Sequence, residues 1–257
     1  MGHIPPVWEK RMDPKIVEIF RYLYSEIRGE KDIKLVPSID GINFSPNHGK
    51  VNPTERPWEH LDQSFYNDPY KCIQGSLAFS NTSAGFLCSP KSHLVHHKIL
   101  KIEGVKSKPF QNCNNWVMIK NENRETVKFE IEKAGGRYQL PIIVPAGSMI
   151  LWFSSTLHSA RGRLRIEENS PVDRWNGWRG VYYLSYRPAD EFRENEIENI
   201  KRNTNENLSM NHWSMKTFSP FRGLNKGEHE NIAIFRADPK SFFDKFDGYQ
   251  PKHPGAF

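Results

Sequence analysis

Eight short runs rich in β-branched and aromatic residues constrain the fold of this chain more than any other feature. Turn residues, mainly Pro, Gly and Asn, separate the runs, and this pattern is typical of β-strands. The runs cover residues 33–36, 70–79, 94–102, 116–120, 126–131, 138–144, 149–153 and 180–186. Many short strands without alternating helices favour a sandwich or barrel over a parallel α/β sheet. The sequence therefore predicts a mainly β (α+β) fold.

Helical signals flank the predicted strands. Asp13 is a suitable N-cap, Pro14 fits the first helical position and Gly29 fits the end, so a helix is predicted over 13–29. Apolar residues recur on one face of this helix at Ile16, Phe20, Leu23 and Ile27. A charged helix is predicted over 190–203. We expect a single domain over 1–257, with a β core over about 30–190 and an aromatic-rich C-terminal extension over 190–257 that packs on the core.

The composition excludes several classes of protein. The chain has 257 residues, of which 37% are hydrophobic, and a formal net charge of +6. No stretch approaches the roughly 20 apolar residues of a membrane-spanning helix, and the start carries no secretory pattern. The three cysteines lack Cys-x-x-Cys spacing, so they make neither a disulfide framework nor a zinc ribbon and suit a reducing compartment. We expect an intracellular, cytoplasmic protein without a membrane partner.

A His-x-Asp motif precedes one of the predicted strands. His60 and Asp62 lie two residues apart, so on an extended chain both point to one side and can bind the same metal ion. A second histidine completes the 2-His-1-carboxylate triad that suits non-haem Fe(II) oxygenases. His158 follows a strand, a Pro-Ala-Gly turn and an apolar strand, a hairpin that can return a ligand toward the motif. Other histidines remain candidates on the sequence alone: His48, His93, His96, His97, His212, His229 and His253.

Five stretches follow one another in an order that a known enzyme family shares. They are Trp-x-His-x-Asp at 58–62, Ile-Gln-Gly-Ser-Leu-Ala-Phe at 73–79, Gly-Phe-Leu-Cys-Ser-Pro-Lys-Ser-His at 85–93, Pro-Ala-Gly at 145–147 and Arg-Gly-Val-Tyr-Tyr-Leu-Ser-Tyr at 179–186. In these stretches and in His158 the chain resembles the phytanoyl-CoA dioxygenase-like Fe(II)/2-oxoglutarate oxygenases. It departs from the family where Lys91 replaces a Gly, where Ser148 replaces an Asp, and where 164–178 has the character of an insertion.

The resemblance implies a double-stranded β-helix, that is, a cupin-like jelly roll, with the metal in one mouth of the barrel. It implies that His60, Asp62 and His158 hold Fe(II), and that Arg179 binds the distal carboxylate of 2-oxoglutarate through its guanidinium fork. Arg161 and Arg163 are rivals for that role because they lie closer to His158 in the sequence. Gln74 either reaches the cosubstrate or substrate, or is a structural residue that faces inward.

By the same resemblance the chain is a dioxygenase that uses O2 and 2-oxoglutarate to hydroxylate a C–H bond, with ascorbate as a supporting reductant. The presence of Asp62 favours hydroxylation, because halogenating relatives lack this carboxylate. We expect a small-molecule substrate. The excess of basic over acidic residues and the aromatic residues also allow a nucleic-acid or protein substrate, although no nucleic-acid-binding motif supports it. Two further hypotheses stay open on the sequence: a catalytically silent jelly roll, and a metal protein that does not use 2-oxoglutarate.

Overall fold

The computed structural model describes residues 2–46, 58–80, 82–106, 116–160 and 178–215. The chain forms two compact units, one of residues 1–43 with 182–257 and the other of residues 44–181. Within these described ranges, no helix has both the length and the apolar character needed to cross a bilayer. The expectation of a single domain stays a prediction.

Helices and antiparallel strands make up the described regions. The helices are α1 (Pro5–Arg11), α2 (Pro14–Arg28), α3 (His96–Ile102), α4 (Arg124–Lys133) and α5 (Glu194–Asn205). The strands are β1 (Leu35–Pro37), β2 (Ile42–Pro46), β3 (His60–Leu61), β4 (Ile73–Ala78), β5 (Thr82–Cys88), β6 (Val117–Met118), β7 (Leu140–Val144), β8 (Met149–Phe153), β9 (His158–Ala160) and β10 (Trp178–Pro188). Single 3-10 turns lie at Ser92–Val95, Asn121–Asn123 and Ala189–Glu191.

The strands form two antiparallel sheets of five strands each. In the first sheet the strand order is β1-β10-β4-β8, and β2 also pairs with β10. In the second sheet, which lies within the unit of residues 44–181, the order is β6-β3-β9-β5-β7. The combination of helices with antiparallel sheets confirms the α+β part of the predicted fold class.

The predicted hairpin before His158 is wrong, because its two strands lie in different sheets. Strand β7 pairs with β5, whereas β8 pairs with β4. The turn between them is bound to the end of β4: Gly147 N donates to Ala78 O at 2.8 Å, and Ala78 N donates to Ser148 O at 3.0 Å. Gly147 has a φ of 82°, in the left-handed region that glycine adopts without strain. The turn therefore transfers the chain from one sheet to the other.

Helix α2 in the first unit confirms the predicted N-terminal helix. The Asp13 side chain accepts a hydrogen bond from Lys15 N at 3.0 Å, and Gly29 ends the helix in the left-handed conformation. The buried face differs in part from the predicted one, because Ile27 is exposed. The buried side chains are Ile16, Val17, Phe20 and Tyr24. Helix α5 begins four residues later than predicted, and α1 has no counterpart among the predicted elements.

Two of the predicted strands in the second unit are helices. The run 94–102 forms a 3-10 turn followed by α3, and the run 126–131 lies within α4. Their buried residues are four apart, as in Val95 and Ile99 or Val127 and Ile131, which is helical spacing. They pack in a core cluster that includes Leu61 and Leu157. Each of these leucines adjoins a histidine of the predicted metal site, so this core lies directly beside the site.

Candidate metal centre

His60 and His158 are brought together by strand pairing. They lie directly opposite each other on β3 and β9, and residues in that position share one face of the sheet. Their ring centroids are 4.4 Å apart. Asp62 follows two residues after His60, and its backbone N–H donates to Ser154 O at 2.9 Å. The strand register therefore joins residues that are almost one hundred positions apart in the sequence.

The three predicted ligands converge on one another. His60 Nε2 lies 3.7 Å from Asp62 Oδ1, and His158 Nε2 lies 3.3 Å from Asp62 Oδ2. One ligand atom from each side chain lies within 4.8 Å of the others, so this group could hold a metal ion. His60 and His158 are 5% and 6% exposed, so water reaches the imidazoles only at their edge.

The backbone sets the tautomer of both histidines. His60 Nδ1 lies 2.9 Å from Trp58 O, and His158 Nδ1 lies 2.9 Å from Thr156 O. A carbonyl oxygen only accepts, so each imidazole donates its Nδ1–H and turns its Nε2 to the Asp62 carboxylate. Backbone partners that hold Nδ1–H in this way, and so leave Nε2 directed at the site, are typical of metal-ligating histidines.

Gln74 connects the carboxylate to the first sheet. Its side chain is 6% exposed, and its Nε2 donates to Asp62 Oδ2 at 2.9 Å. The bond fixes the orientation of the carboxylate, which is the usual task of a residue behind a metal ligand. The structure thus brings Gln74 to the predicted site, in contact with a ligand side chain.

Four aromatic side chains surround the histidines, and they divide into an exposed pair and a buried pair. Trp58 stacks on His60 with a centroid distance of 4.5 Å, and Trp116 lies 5.9 Å from the same ring; the two are 40% and 47% exposed. Phe86 and Trp152 lie 5.7 and 5.4 Å from the His158 ring, and each is 8% exposed. Among the described residues, exposed aromatic rings therefore adjoin His60 and buried aromatic rings adjoin His158.

Sequence reasoning missed the buried pair, Phe86 and Trp152. A period-2 alternation places Trp152 on one face of its strand, but only the register with β4 shows that this face carries Gln74. The family resemblance assigns Phe86 to a turn, whereas it lies in β5 opposite Ala160. No signal in the sequence gives these registers.

Cys88 lies beside the site but not among the ligands. It is paired with His158 across β5 and β9 and is a free thiol. Burial raises the pKa of the Cys88 thiol to about 11, so it is protonated at neutral pH. The group of side chains whose ligand atoms converge at this site does not include Cys88. Cys113 lies outside the described residues.

Arg179 is the second residue of β10. Its neighbour Gly180 accepts a hydrogen bond from Phe79 N at 3.0 Å and donates to Ser80 Oγ at 2.8 Å. Gly180 thus lies just beyond the far end of β4, about 16 Å along the extended chain from Gln74, and Arg179 lies one residue further. Among the described residues, no hydrogen bond or ion pair joins Arg179 to the three predicted ligands. The rivals Arg161 and Arg163 and most of the predicted insertion lie outside the described residues.

The remaining histidine candidates within the described ranges do not join the triad. His96 is buried, and its Nε2 lies 3.0 Å from Gln63 O. Burial lowers the pKa of His96 to about 4, so the ring is neutral and donates to that carbonyl. His93 packs against Tyr70 and Phe153 at centroid distances of 5.8 and 5.5 Å. His48, His229 and His253 lie outside the described residues.

Comparison with known proteins gives a similarity in structure and no match to a family model or a curated protein. The chain is similar in structure to GlcNAc Inducible Gene 2, GIG2 (DUF1479), from Candida albicans, with a TM-score of 0.53 and 14% identity. The match covers 93% of this chain and 62% of that protein, so the chain spans less than two thirds of its neighbour's length. At this identity the likeness shows the fold alone.

Proposed function

We propose that this chain is a non-haem Fe(II)- and 2-oxoglutarate-dependent dioxygenase that hydroxylates a C–H bond of a small molecule. The observation that carries the proposal is the convergence of His60, Asp62 and His158, with both Nε2 atoms turned to one carboxylate. Such a site is complementary to a divalent cation. Two imidazoles and one carboxylate, with the other coordination positions open, are the ligand set of non-haem Fe(II) oxygenases.

The strand order supports a jelly roll, the fold that the family resemblance implies. Strands β2, β4, β8 and β10 belong to the first sheet, and β3, β5, β7 and β9 belong to the second. The chain therefore changes sheet at each step of this series except between β5 and β7. Repeated crossing between two antiparallel sheets is expected of a double Greek key. In that fold the histidines on β3 and β9 and Gln74 on β4 face one another across the barrel.

The residues have separate tasks in this proposal. His60, Asp62 and His158 hold the iron, and Gln74 keeps the Asp62 carboxylate in a fixed orientation. When bound, the iron with 2-oxoglutarate supplies the oxidation: one oxygen atom of O2 enters succinate, CO2 leaves, and the other oxygen atom enters the C–H bond of the substrate. We assign the distal carboxylate of 2-oxoglutarate to Arg179, because a guanidinium meets a carboxylate with two parallel hydrogen bonds.

The aromatic residues support the same chemistry from both sides of the site. The buried Phe86 and Trp152 keep water away from His158, which protects an oxidising centre from side reactions. The exposed Trp58 and Trp116 beside His60 leave that side open for the substrate. This division gives the substrate one direction of approach.

Anaerobic titration tests the proposal. Fe(II) followed by 2-oxoglutarate should produce a weak visible charge-transfer band in the wild-type protein, and Asp62→Ala and His158→Ala should abolish it. His97→Ala, at an exposed histidine outside the site, is the matched control and should retain the band. Under air, the wild type should convert some 2-oxoglutarate to succinate without substrate. A wild type that binds Fe(II) but gives no band and no succinate contradicts the proposal.

A 2-oxoglutarate-independent metal protein is the second candidate. The same observation supports it, because the three converging side chains could hold a metal ion whether or not 2-oxoglutarate binds. In this case Fe(II) binding depends on Asp62, but 2-oxoglutarate changes neither the spectrum nor the iron affinity. Isothermal titration of 2-oxoglutarate into the Fe(II)-loaded protein and into Arg179→Met distinguishes the candidates: the dioxygenase loses cosubstrate affinity in the variant, whereas the second candidate has none to lose.

A further inference from the structure

Gln74 and Trp152 form a pair on one face of the first sheet. They lie directly opposite each other in the antiparallel pairing of β4 with β8, so their side chains leave the sheet on the same side. Gln74 contacts Asp62, and the Trp152 ring lies 5.4 Å from the His158 ring. Both therefore lie behind the metal ligands.

Each residue of the pair has a buried polar atom without a hydrogen bond. Trp152 Nε1 and Gln74 Oε1 have no hydrogen-bond partner among the residues that the structure describes. The two side chains are 8% and 6% exposed, so bulk water does not satisfy these atoms. Buried polar groups without partners are rare in native proteins because each one is costly, and such a group calls for an explanation.

The contact with Asp62 fixes which atom of the Gln74 amide remains unpaired. A carboxylate only accepts, so the amide nitrogen must face Asp62 Oδ2, and the amide oxygen is left without a donor. The Trp152 indole offers the opposite group, because its Nε1–H only donates. One buried acceptor thus stands across the strand pair from one buried donor.

We propose that Trp152 and Gln74 form a subsite for a neutral hydroxyl or carboxamide group of the substrate, bound beside the metal. The inference rests on the proposed function and names the substrate class for it. A carboxamide accepts from Trp152 Nε1–H through its oxygen and donates to Gln74 Oε1 through its nitrogen, and a hydroxyl does both with one oxygen.

Other ligand groups fit the pair less well. A carboxylate has no proton to donate to Gln74 Oε1, and it brings a second negative charge to the Asp62 side of the site. A ketone satisfies only Trp152, and a hydrocarbon leaves both atoms unpaired. Sites built on buried hydrogen-bonding groups reject analogues that lack the matching group. For one unpaired buried atom the expected discrimination is roughly 5- to 150-fold in affinity.

Nuclear magnetic resonance of the indole N–H groups tests the subsite directly. The protein is labelled with 15N-tryptophan and loaded with Zn(II), and the Trp152 resonance is assigned from Trp152→Phe, which keeps an aromatic ring and removes the N–H. Benzamide, benzoate and acetophenone serve as probes, because they differ only in the NH2, O⁻ or CH3 group on one carbonyl. The indole of Trp213, a buried residue of the other unit, is the internal reference.

Benzamide should shift the Trp152 indole proton downfield and leave Trp213 unchanged. Benzoate and acetophenone should bind at least about fivefold more weakly. In Gln74→Leu the preference for benzamide over acetophenone should disappear. Three results overturn the proposal. In the first, no probe moves the Trp152 resonance; in the second, benzoate or acetophenone binds as tightly as benzamide. In the third, no probe moves the resonance but the substitution Gln74→Leu does. The last result means that the two side chains bind each other.

The experiment separates this inference from the proposed function. It uses neither O2 nor 2-oxoglutarate, so the probes report on the subsite alone. A protein with the charge-transfer band but without benzamide selectivity remains a dioxygenase without this subsite. A protein with the selectivity but without the band retains the subsite in a metal protein of another kind.

Discussion

Asp62→Asn should weaken the metal binding of the protein. Asp62 Oδ1 and Oδ2 lie 3.7 and 3.3 Å from the Nε2 atoms of His60 and His158, and Oδ2 also accepts a hydrogen bond from Gln74 Nε2. Asn has the same shape as Asp but carries no negative charge. The substitution therefore removes the charged member of this group and leaves a metal ion two imidazoles and a neutral amide.

The size of the effect follows from general energetics. Metal at 100 times its dissociation constant stabilises the wild type by about 2.7 kcal/mol. If the loss of the charged ligand weakens binding by about 100-fold, the same metal concentration stabilises the variant by only about 0.4 kcal/mol. The metal-induced rise in melting temperature should therefore be smaller in the variant by roughly 5–9 °C for a chain of this size.

Thermal unfolding with chelator and with added Zn(II) measures this difference. Glu26→Gln removes an exposed carboxylate from α2 and is the matched control, which should follow the wild type in both conditions. If Asp62→Asn retains the full metal-induced shift, the carboxylate is not a ligand.

Three further predictions concern residues around the site. Gly180→Ala should destabilise the protein by about 1–3 kcal/mol in urea unfolding, because the added Cβ would overlap the Phe79 ring; an unchanged unfolding free energy would contradict this packing. Cys88 should resist iodoacetamide at pH 8 and react increasingly as the pH approaches its pKa of about 11, as followed by peptide mass mapping. Burial lowers the pKa of His96 to about 4, so the ring stays neutral in the folded state while the unfolded chain takes up a proton below pH 6.5. Stability should therefore decrease as the pH falls from 6.5 to 4, and in His96→Gln this part of the pH dependence should be absent.

The sequence predicts local structure well where a cap or a turn determines it. Asp13, Pro14 and Gly29 mark the limits of α2 to the residue, because the cap side chain and the left-handed glycine are local requirements. It fails for α3 and α4, whose β-branched residues indicate strands on propensity alone. Their buried positions follow helical spacing, and packing in the core around Leu61 and Leu157 outweighs the propensity.

The candidate site is predictable in its ligands and not in its surroundings. His60 and Asp62 belong to a spaced motif, so the sequence presents them together, and the resemblance adds His158. The partners of these residues depend on strand register, which a period-2 pattern does not determine. Trp152 faces Gln74 only because β8 pairs with β4 in this register, and a slip of one residue would turn it to the other face.

The tautomer of the two histidines shows how the backbone prepares the site. Each imidazole Nδ1 meets the carbonyl oxygen of the residue two positions earlier, at 2.9 Å in both cases. Trp58 and Thr156, which supply these oxygens, have unrelated side chains. The two hydrogen bonds therefore depend on the backbone path into β3 and β9 and not on the side chains of Trp58 and Thr156. Because the same path sets the strand register that brings His60 opposite His158, orientation and proximity arise together. A chain that folds correctly therefore has a preformed set of side-chain atoms that could hold a metal ion.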